Sequence, residues 1–270
     1  MLLAHVLGVS RASIIANSER QLDAVQAQAA SQLLSRRADG EPIAYLIGSR
    51  EFYGRDFMVS PATLIPRPET EIIVEPALAR LSGQNSPVKL ANAGSTNSSS
   101  ADDFPCVLDL GTGSGAIAIT LALELPTAVV VAADFSRDAL LVAAENARRL
   151  NAAVEFIESN WYQRLAGRQF GLIVANPPYV GGHDVHLSTG DLRFEPVTAL
   201  TDGSADGLTS IRMIIEGTAE HLRPNGWLLF EHGYDQRDAC RELLLKAGFN
   251  NLTSVNDLAG IPRVACGQIR

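Results

Sequence analysis

The sequence predicts an α/β fold: a doubly wound, mostly parallel seven-stranded sheet preceded by a small N-terminal helical domain and a hairpin linker. Three observations carry this. From Cys106 onward, short apolar runs alternate with stretches of helical length and period, as a parallel sheet with crossover helices demands. A glycine loop, Gly111-Thr112-Gly113-Ser114-Gly115, separates the first apolar run from the first of those helices. Another run, Phe170 to Ala175, stops at Asn176-Pro177-Pro178-Tyr179, where prolines that cannot donate to a ladder must end the strand. In an open α/β sheet the carboxyl ends of the strands are where ligands bind.

In chain order, residues 1–42 read as the helical domain, with Leu22, Val25, Ala29, Leu33 and Leu34 at helical steps and Arg36-Arg37 at a solvated helix end before Gly40. Glu41-Pro42 breaks the pattern. Residues 43–66 alternate aromatic residues with Gly48 and Gly54, which predicts a hairpin linker. Residues 67–270 form the main domain, opening with a helix over Glu71 to Leu81. Residues 82–103, rich in Ser, Asn and Gly, read as a flexible insertion. Strands follow at Val107–Leu110, Ala128–Ala133, Val154–Ile157, Phe170–Ala175, Gly226–Glu231, Leu252–Val255 and Val264–Gly267. Helices at Ala116–Glu124, Arg137–Leu150, Ser210–Leu222 and Arg237–Ala247 intervene.

The chain has 270 residues and a formal net charge of −8, which argues against a surface built to neutralise phosphates. The acidic balance fits a protein partner or a cationic small molecule better than direct nucleic-acid binding. No apolar run reaches the roughly 18 residues of a membrane span, and the start is a poor signal peptide, so no membrane partner is expected. The three cysteines, Cys106, Cys240 and Cys266, are far apart in apolar surroundings and read as buried thiols in a reducing compartment. A cytoplasmic monomer is expected.

The glycine loop lets a ligand approach backbone without Cβ atoms in the way. Asp134, about twenty residues on, ends the next strand where a carboxylate can take ribose hydroxyls. Two cofactor classes fit, because Gly111 to Ala116 also satisfies the dinucleotide pattern G-x-G-x-x-A. Asp109, two residues before the first glycine, favours S-adenosylmethionine, whose cationic groups suit carboxylates and which has no pyrophosphate to cradle. Asp109 also reads as a carboxylate capping loop amides. Asn160-Trp161 stands where it can bracket an adenine, and Trp161 reads equally as a core anchor.

Asn176-Pro177-Pro178-Tyr179 suits chemistry on a planar nitrogen. An amide or exocyclic amine is a poor nucleophile because its lone pair is delocalised. Asn176 through its side-chain oxygen and Pro177 through its carbonyl can accept the two N–H bonds, presenting the lone-pair face to an incoming methyl. Tyr179 offers a face for stacking a planar group. No strong base is required, since the nitrogen turns acidic only as the methyl arrives.

Further stretches narrow the reading. Glu41 to Gly48, Glu51-Phe52-Tyr53-Gly54, Leu64 to Glu71, Asn176 to Tyr179, Arg193-Phe194-Glu195-Pro196 and Glu231-His232-Gly233 together resemble the release factor glutamine methyltransferase family (PrmC/HemK) along essentially the whole chain. The resemblance implies a class I S-adenosylmethionine-dependent methyltransferase. Its implied partners are class I peptide chain release factors, methylated on the glutamine amide of their Gly-Gly-Gln motif. It implies cofactor contacts at Gly111, Thr112, Gly113, Ser114, Gly115, Asp134, Asn160, Trp161 and Asn176. Asn176, Pro177, Pro178 and Tyr179 would hold the glutamine, with Arg67 and Glu195 beside the substrate. Pro66 to Thr70 would close over the cofactor or orient the substrate loop. Three departures from the family stand out: about one helix fewer ahead of Met1, a longer insertion near 82–103, and Asn160 in place of Asp, from which weaker cofactor binding is expected.

Smaller signals absorb little. His183 and His186 lack further Cys or His nearby, so no metal is expected. His232 reads as a packed residue, and Glu195 as either a pocket carboxylate or a solvated loop charge. The main rivals are a methyltransferase acting on an exocyclic amine of a DNA or RNA base, a dinucleotide-dependent oxidoreductase, and a non-catalytic cofactor-binding protein. The last two leave Asn176 to Tyr179 unexplained.

Overall fold

Short helices open the chain because caps start and stop them. In the computed structural model, which describes residues 1–84 and 105–270, α1 (Leu2–Leu7) ends at Gly8 with φ of 62°. Ser10 accepts a hydrogen bond from the Ser13 amide to start α2 (Arg11–Ala16). Asp23 and Gln26 form a reciprocal capping box at the head of α3 (Ala24–Ala38). In α3 the buried position is Ala30, while Val25 and Leu34, expected to face a partner, are exposed.

Residues 43–66 begin differently from the expected hairpin. Ile43–Ile47 is a helical turn, α4, seated after Pro42 and stopped by Gly48 at φ of 75°. The hairpin is confined to β1 (Ser49–Phe52) and β2 (Arg55–Met58), joined by Tyr53-Gly54. Both turn residues have positive φ, 50° and 73°, the primed turn that matches strand twist. Phe52 and Phe57 are fully buried and meet edge to face at 6.0 Å, so the hairpin is part of the core. The helix expected from Glu71 is also split: Pro68–Ile73 is a 3-10 turn, and α5 is Val74–Gln84. Positions 85–103 of the expected flexible insertion lie outside the described residues.

The elements that follow keep the predicted alternation, with ends at most a residue off up to Ala175: β3 (Cys106–Leu110), α6 (Ala116–Glu124), β4 (Val129–Asp134), α7 (Arg137–Leu150), β5 (Glu155–Glu158) and β6 (Phe170–Ala175). Two 3-10 turns, Val185–Ser188 and Gly190–Phe194, precede α8 (Val197–Leu200) and α9 (Thr209–His221). The chain closes with β7 (Leu222–Glu231), which begins four residues before the expected Gly226, and with α10 (Arg237–Lys246), β8 (Asn250–Asn256) and β9 (Pro262–Gln268). The seven strands lie in the order β5-β4-β3-β6-β7-β9-β8, with β9 antiparallel to its neighbours β7 and β8. No helix among the described residues is long and apolar enough to cross a membrane.

Successive residues of the central strands feed opposite faces. Val107 joins the core shared with the hairpin, α5 and α6, whereas Leu108 and Leu110 join the core beneath α9 and α10. Side chains of this size stabilise by about 1.5–3 kcal/mol each on full burial, which makes β3 and β6 a rigid base. The chain runs outward from β3 through β4 to β5, then crosses back to β6 on the other side of β3, so the switch point falls between β3 and β6, the place such sheets bind ligands.

Candidate active site

The parallel register pairs Leu110 with Ala175. The glycine loop and Asn176 therefore leave adjacent strands at the same level. A cavity of about 590 Å³ opens there, lined by Gly111, Thr112, Gly113 and Ser114 from the loop and by Asp134, Asn160, Trp161, Asn176 and Pro178. Thr63, Pro66 and Thr70 cover it from one side, and Pro196, Thr198 and Asp202 from another.

Asp134, last residue of β4, is buried. Its Oδ2 accepts from the Gly113 amide at 2.9 Å and its Oδ1 from the Ser136 amide at 2.9 Å. Burial raises its pKa, and the bonded amides oppose that rise. Asp109 sits behind the loop, 1 % exposed, where its Oδ2 accepts from the Thr112 hydroxyl at 2.7 Å and the Ala118 amide at 3.2 Å. Loop capping is thus what its contacts show. Desolvation pushes its pKa up to about 7, against those two bonds.

Gly115 does not line the cavity. At φ of 82°, a Cβ there would lie 2.7 Å from Ile119 Cδ1 and 3.2 Å from Ala143 Cβ, so this glycine lets α6 pack on α7. Trp161 lines the cavity over Gly111 and also packs against the core beneath α9 and α10, as the core-anchor reading expects. It holds a left-handed φ of 47°. The Ser159 hydroxyl secures that turn by donating to the Trp161 carbonyl at 2.8 Å and accepting from the Arg164 amide at 3.0 Å. Asn160 is exposed at the rim.

Asn176 is half-buried, and its Nδ2 donates to the Thr70 hydroxyl at 3.1 Å. Pro178 lines the cavity, whereas Pro177 is buried behind it. The Tyr179 ring lies outside the lining, packed on the second core, and its hydroxyl donates to Glu231 Oε1 at 2.8 Å. Burial, then the Glu231 charge, holds that phenol far above its ordinary pKa. The Tyr179 carbonyl accepts from Gln236 Nε2 at 3.0 Å. Gly207 passes so close, at φ of 64°, that any Cβ would strike that carbonyl.

Arg67 and Glu195 also lie outside the lining, and they pair with each other. Glu195 is buried and takes the Ile65 amide at 3.0 Å on its second oxygen. The pair joins the segments carrying Pro66 and Pro196, which do reach the cavity. His232 is buried with Nδ1 on the Gly233 carbonyl at 2.8 Å, the packed role expected of it. Four residues were not singled out from sequence: Thr70 and Glu231, which lay inside quoted motifs, and Gln236 and Asn146, which carried no local signal. Asn146 is fully buried and bonds both backbone groups of Met58 and the Ser114 carbonyl.

A sheet of this order, with a glycine loop and an Asn-Pro-Pro-Tyr turn opening on one cavity at its switch point, defines a class I methyltransferase. The chain is 47% identical to the release factor glutamine methyltransferase of Burkholderia pseudomallei, over 100% of this chain and 90% of that one, and 45% identical to that of Bordetella pertussis, over 100% and 93%. It belongs to the release factor glutamine methyltransferase family. Residues 1–48 match the PrmC N-terminal domain and residues 98–195 the methyltransferase small domain. A methyltransferase structure from Pyrococcus furiosus shares the fold, with TM-score 0.55 at 18% identity over 88% of this chain and 98% of that one.

Proposed function

We propose that the protein transfers a methyl group from S-adenosylmethionine to the side-chain amide nitrogen of the glutamine in the Gly-Gly-Gln motif of class I peptide chain release factors. The observation that carries this is the meeting of Asn176 and the glycine loop on one cavity. The residues present suit the cofactor: Gly113 has nothing within 4 Å of where a Cβ would stand, Asp134 is a carboxylate on the lining, and Phe135 and Trp161 offer flat apolar surfaces. When bound, S-adenosylmethionine supplies an electrophilic sulfonium methyl.

The work left to this chain is positioning. Asn176 and the Pro177 carbonyl accept the two N–H bonds of the glutamine amide and hold its nitrogen face-on, so rate comes from orientation and fixed dipoles. Tyr179, tied to Glu231 and through its carbonyl to Gln236, stiffens the turn. Arg67 and Glu195 brace the covering segments rather than touch the substrate. The net charge of −8 supports a protein partner over nucleic acid. With it goes the reading of a cytoplasmic monomer.

The test is transfer of label from radiolabelled S-adenosylmethionine to a release factor, to the same factor with its motif glutamine replaced, and to duplex DNA. Label confined to the native factor is the expected result, and label on DNA or on the altered factor alone would sink the reading. Asn176→Ala should lower kcat by about 100-fold or more, the scale of losing one fixed polar contact in the transition state, with an unchanged melting temperature.

A further inference from the structure

The geometry points to Gln236 as a positioning residue for methyl transfer: a clamp that holds the Asn176–Tyr179 turn against the segment following α8, which lines the same cavity. This rests on the glutamine-methylation reading above and extends it to a residue that lies outside the lining.

The turn has little to anchor it from within. Pro177 and Pro178 have no N–H to give, so its hold on the molecule falls to the residues that follow. Those residues run close beside the segment after α8. The Val180 amide donates to the Leu200 carbonyl at 2.9 Å, and the Gly182 amide to the Ser204 carbonyl at 2.8 Å. A Cβ on Gly182 would stand 2.7 Å from the Gly203 carbonyl oxygen, so a glycine permits the approach. Asn176 and Pro178 line the cavity from one of these segments, and Thr201 and Asp202 from the other.

Gln236 bridges the two. It stands at the N-cap of α10, yet its side chain makes no cap bond. Its Nε2 donates instead to the Tyr179 carbonyl at 3.0 Å and to the Asp206 carbonyl at 2.8 Å. Its Oε1 accepts from the Gly233 amide at 2.8 Å, and the residue is buried. A backbone N–H can only donate and a carbonyl can only accept, so the side-chain amide has one workable sense. Turned round, it would set an oxygen against two carbonyl oxygens and an NH2 against an N–H. Both Nε2 hydrogens are thus committed to the clamp. The Asn176 side chain and the Pro177 carbonyl, which hold the substrate amide, lie two or three residues from the clamped Tyr179 carbonyl. A misplacement of about 1 Å in such groups is enough to cost about 10²-fold in rate.

The experiment compares the wild type with Gln236→Met and Gln236→Glu. It reads kcat and KM on a release factor, S-adenosylmethionine affinity by calorimetry, and melting temperature, each at about pH 6 and about pH 8.5. Several charged or titratable groups stand around the clamp: Asp206 paired with Arg212, Tyr179 bonded to Glu231, His232 with its pKa lowered by burial, and the chain neighbours Asp235 and Arg237. All are common to the three proteins, so each variant is compared with the wild type at the same pH. Gln236→Met keeps the length and loses both donors, so kcat should fall about 10²-fold at either pH, with KM and cofactor affinity within about threefold. Gln236→Glu, as a carboxylate, sets oxygen against two carbonyls and should lose as much at the higher pH. At the lower pH its buried carboxyl regains a proton, and with it one donor, so kcat should recover about tenfold. Wild-type kcat in Gln236→Met overturns the clamp, as does a loss shared equally by kcat, cofactor affinity and melting temperature. A Gln236→Glu defect unchanged between the two pH values also overturns it, because lost packing does not titrate. Should Gln236→Glu fail to fold at the higher pH, a folded Gln236→Met with lowered kcat alone supports the clamp. If neither variant folds, Gln236 is a structural residue and the clamp is overturned. A wild type that transfers nothing to the release factor fails the functional reading itself and takes this inference with it.

Discussion

Asp109 is held by the fold at odds with its own charge. Its ordinary pKa of 3.8 is pushed up to about 7 by burial beneath the glycine loop. Between those two values the folded protein keeps a proton that the unfolded chain has released. The contribution of this group is therefore full below about pH 4 and is lost as pH rises through about 7. A non-titrating substitute lacks that slope. Asp109→Asn should gain on the wild type across this window, by at most about 4 kcal/mol. Urea unfolding at pH 4 and pH 8, without cofactor, checks it: an identical difference at both pH values would contradict the raised pKa. At the same scale Gly207 admits no side chain, because its backbone passes under the Tyr179 carbonyl at positive φ.

Among the elements, the segments that cover the cavity are joined at Glu195. Glu195 has no exposed side-chain surface and is satisfied by Arg67 and the Ile65 amide. Removing one partner of such a pair strands a charge, whereas removing both does not. Arg67→Met should destabilise by about 2 kcal/mol, discounted from the fully buried range for the partial exposure of Arg67. Adding Glu195→Gln should recover at least half of that loss. A double-mutant cycle by thermal unfolding measures this, and strictly additive effects would show that the pair does not couple the two segments. The hairpin illustrates the same scale. Its aromatic residues and Gly54 were legible in sequence, but α4 was not, because Ile43-Ala44-Tyr45-Leu46-Ile47 is a short apolar run that suits helix or strand equally. Packing chose the helix, with Tyr45 donating to the Thr63 carbonyl at 2.7 Å.

For the whole molecule, Asn146 of α7 joins what lies before the sheet to the glycine loop within it. Its side chain takes the Met58 amide at 2.7 Å and gives to the Met58 and Ser114 carbonyls at 2.9 Å each. Asn146→Ala strands two part-buried backbone groups of Met58 and the buried Ser114 carbonyl, and should cost about 2–4 kcal/mol. Calorimetry should show one transition shifted down, not a separate early melting of the N-terminal region. Two splitting transitions would mean that Asn146 is what makes the molecule cooperative. By itself the sequence determined the alternation of strands and helices, the glycine loop, the Asn-Pro-Pro-Tyr turn and the chemistry they imply. Those signals are local: apolar period, and glycine and proline punctuation, act within a few residues of where they stand. Only the tertiary structure decided the partners of the polar side chains. Thr70 meets Asn176 across 106 residues, Glu195 turns inward onto Arg67 across 128, and Tyr179 gives its hydroxyl to Glu231 instead of its ring to the cavity. The reason is physical: a buried polar group must be satisfied, but which group satisfies it depends on what packing brings within 3 Å or so, and no local pattern in the chain encodes that.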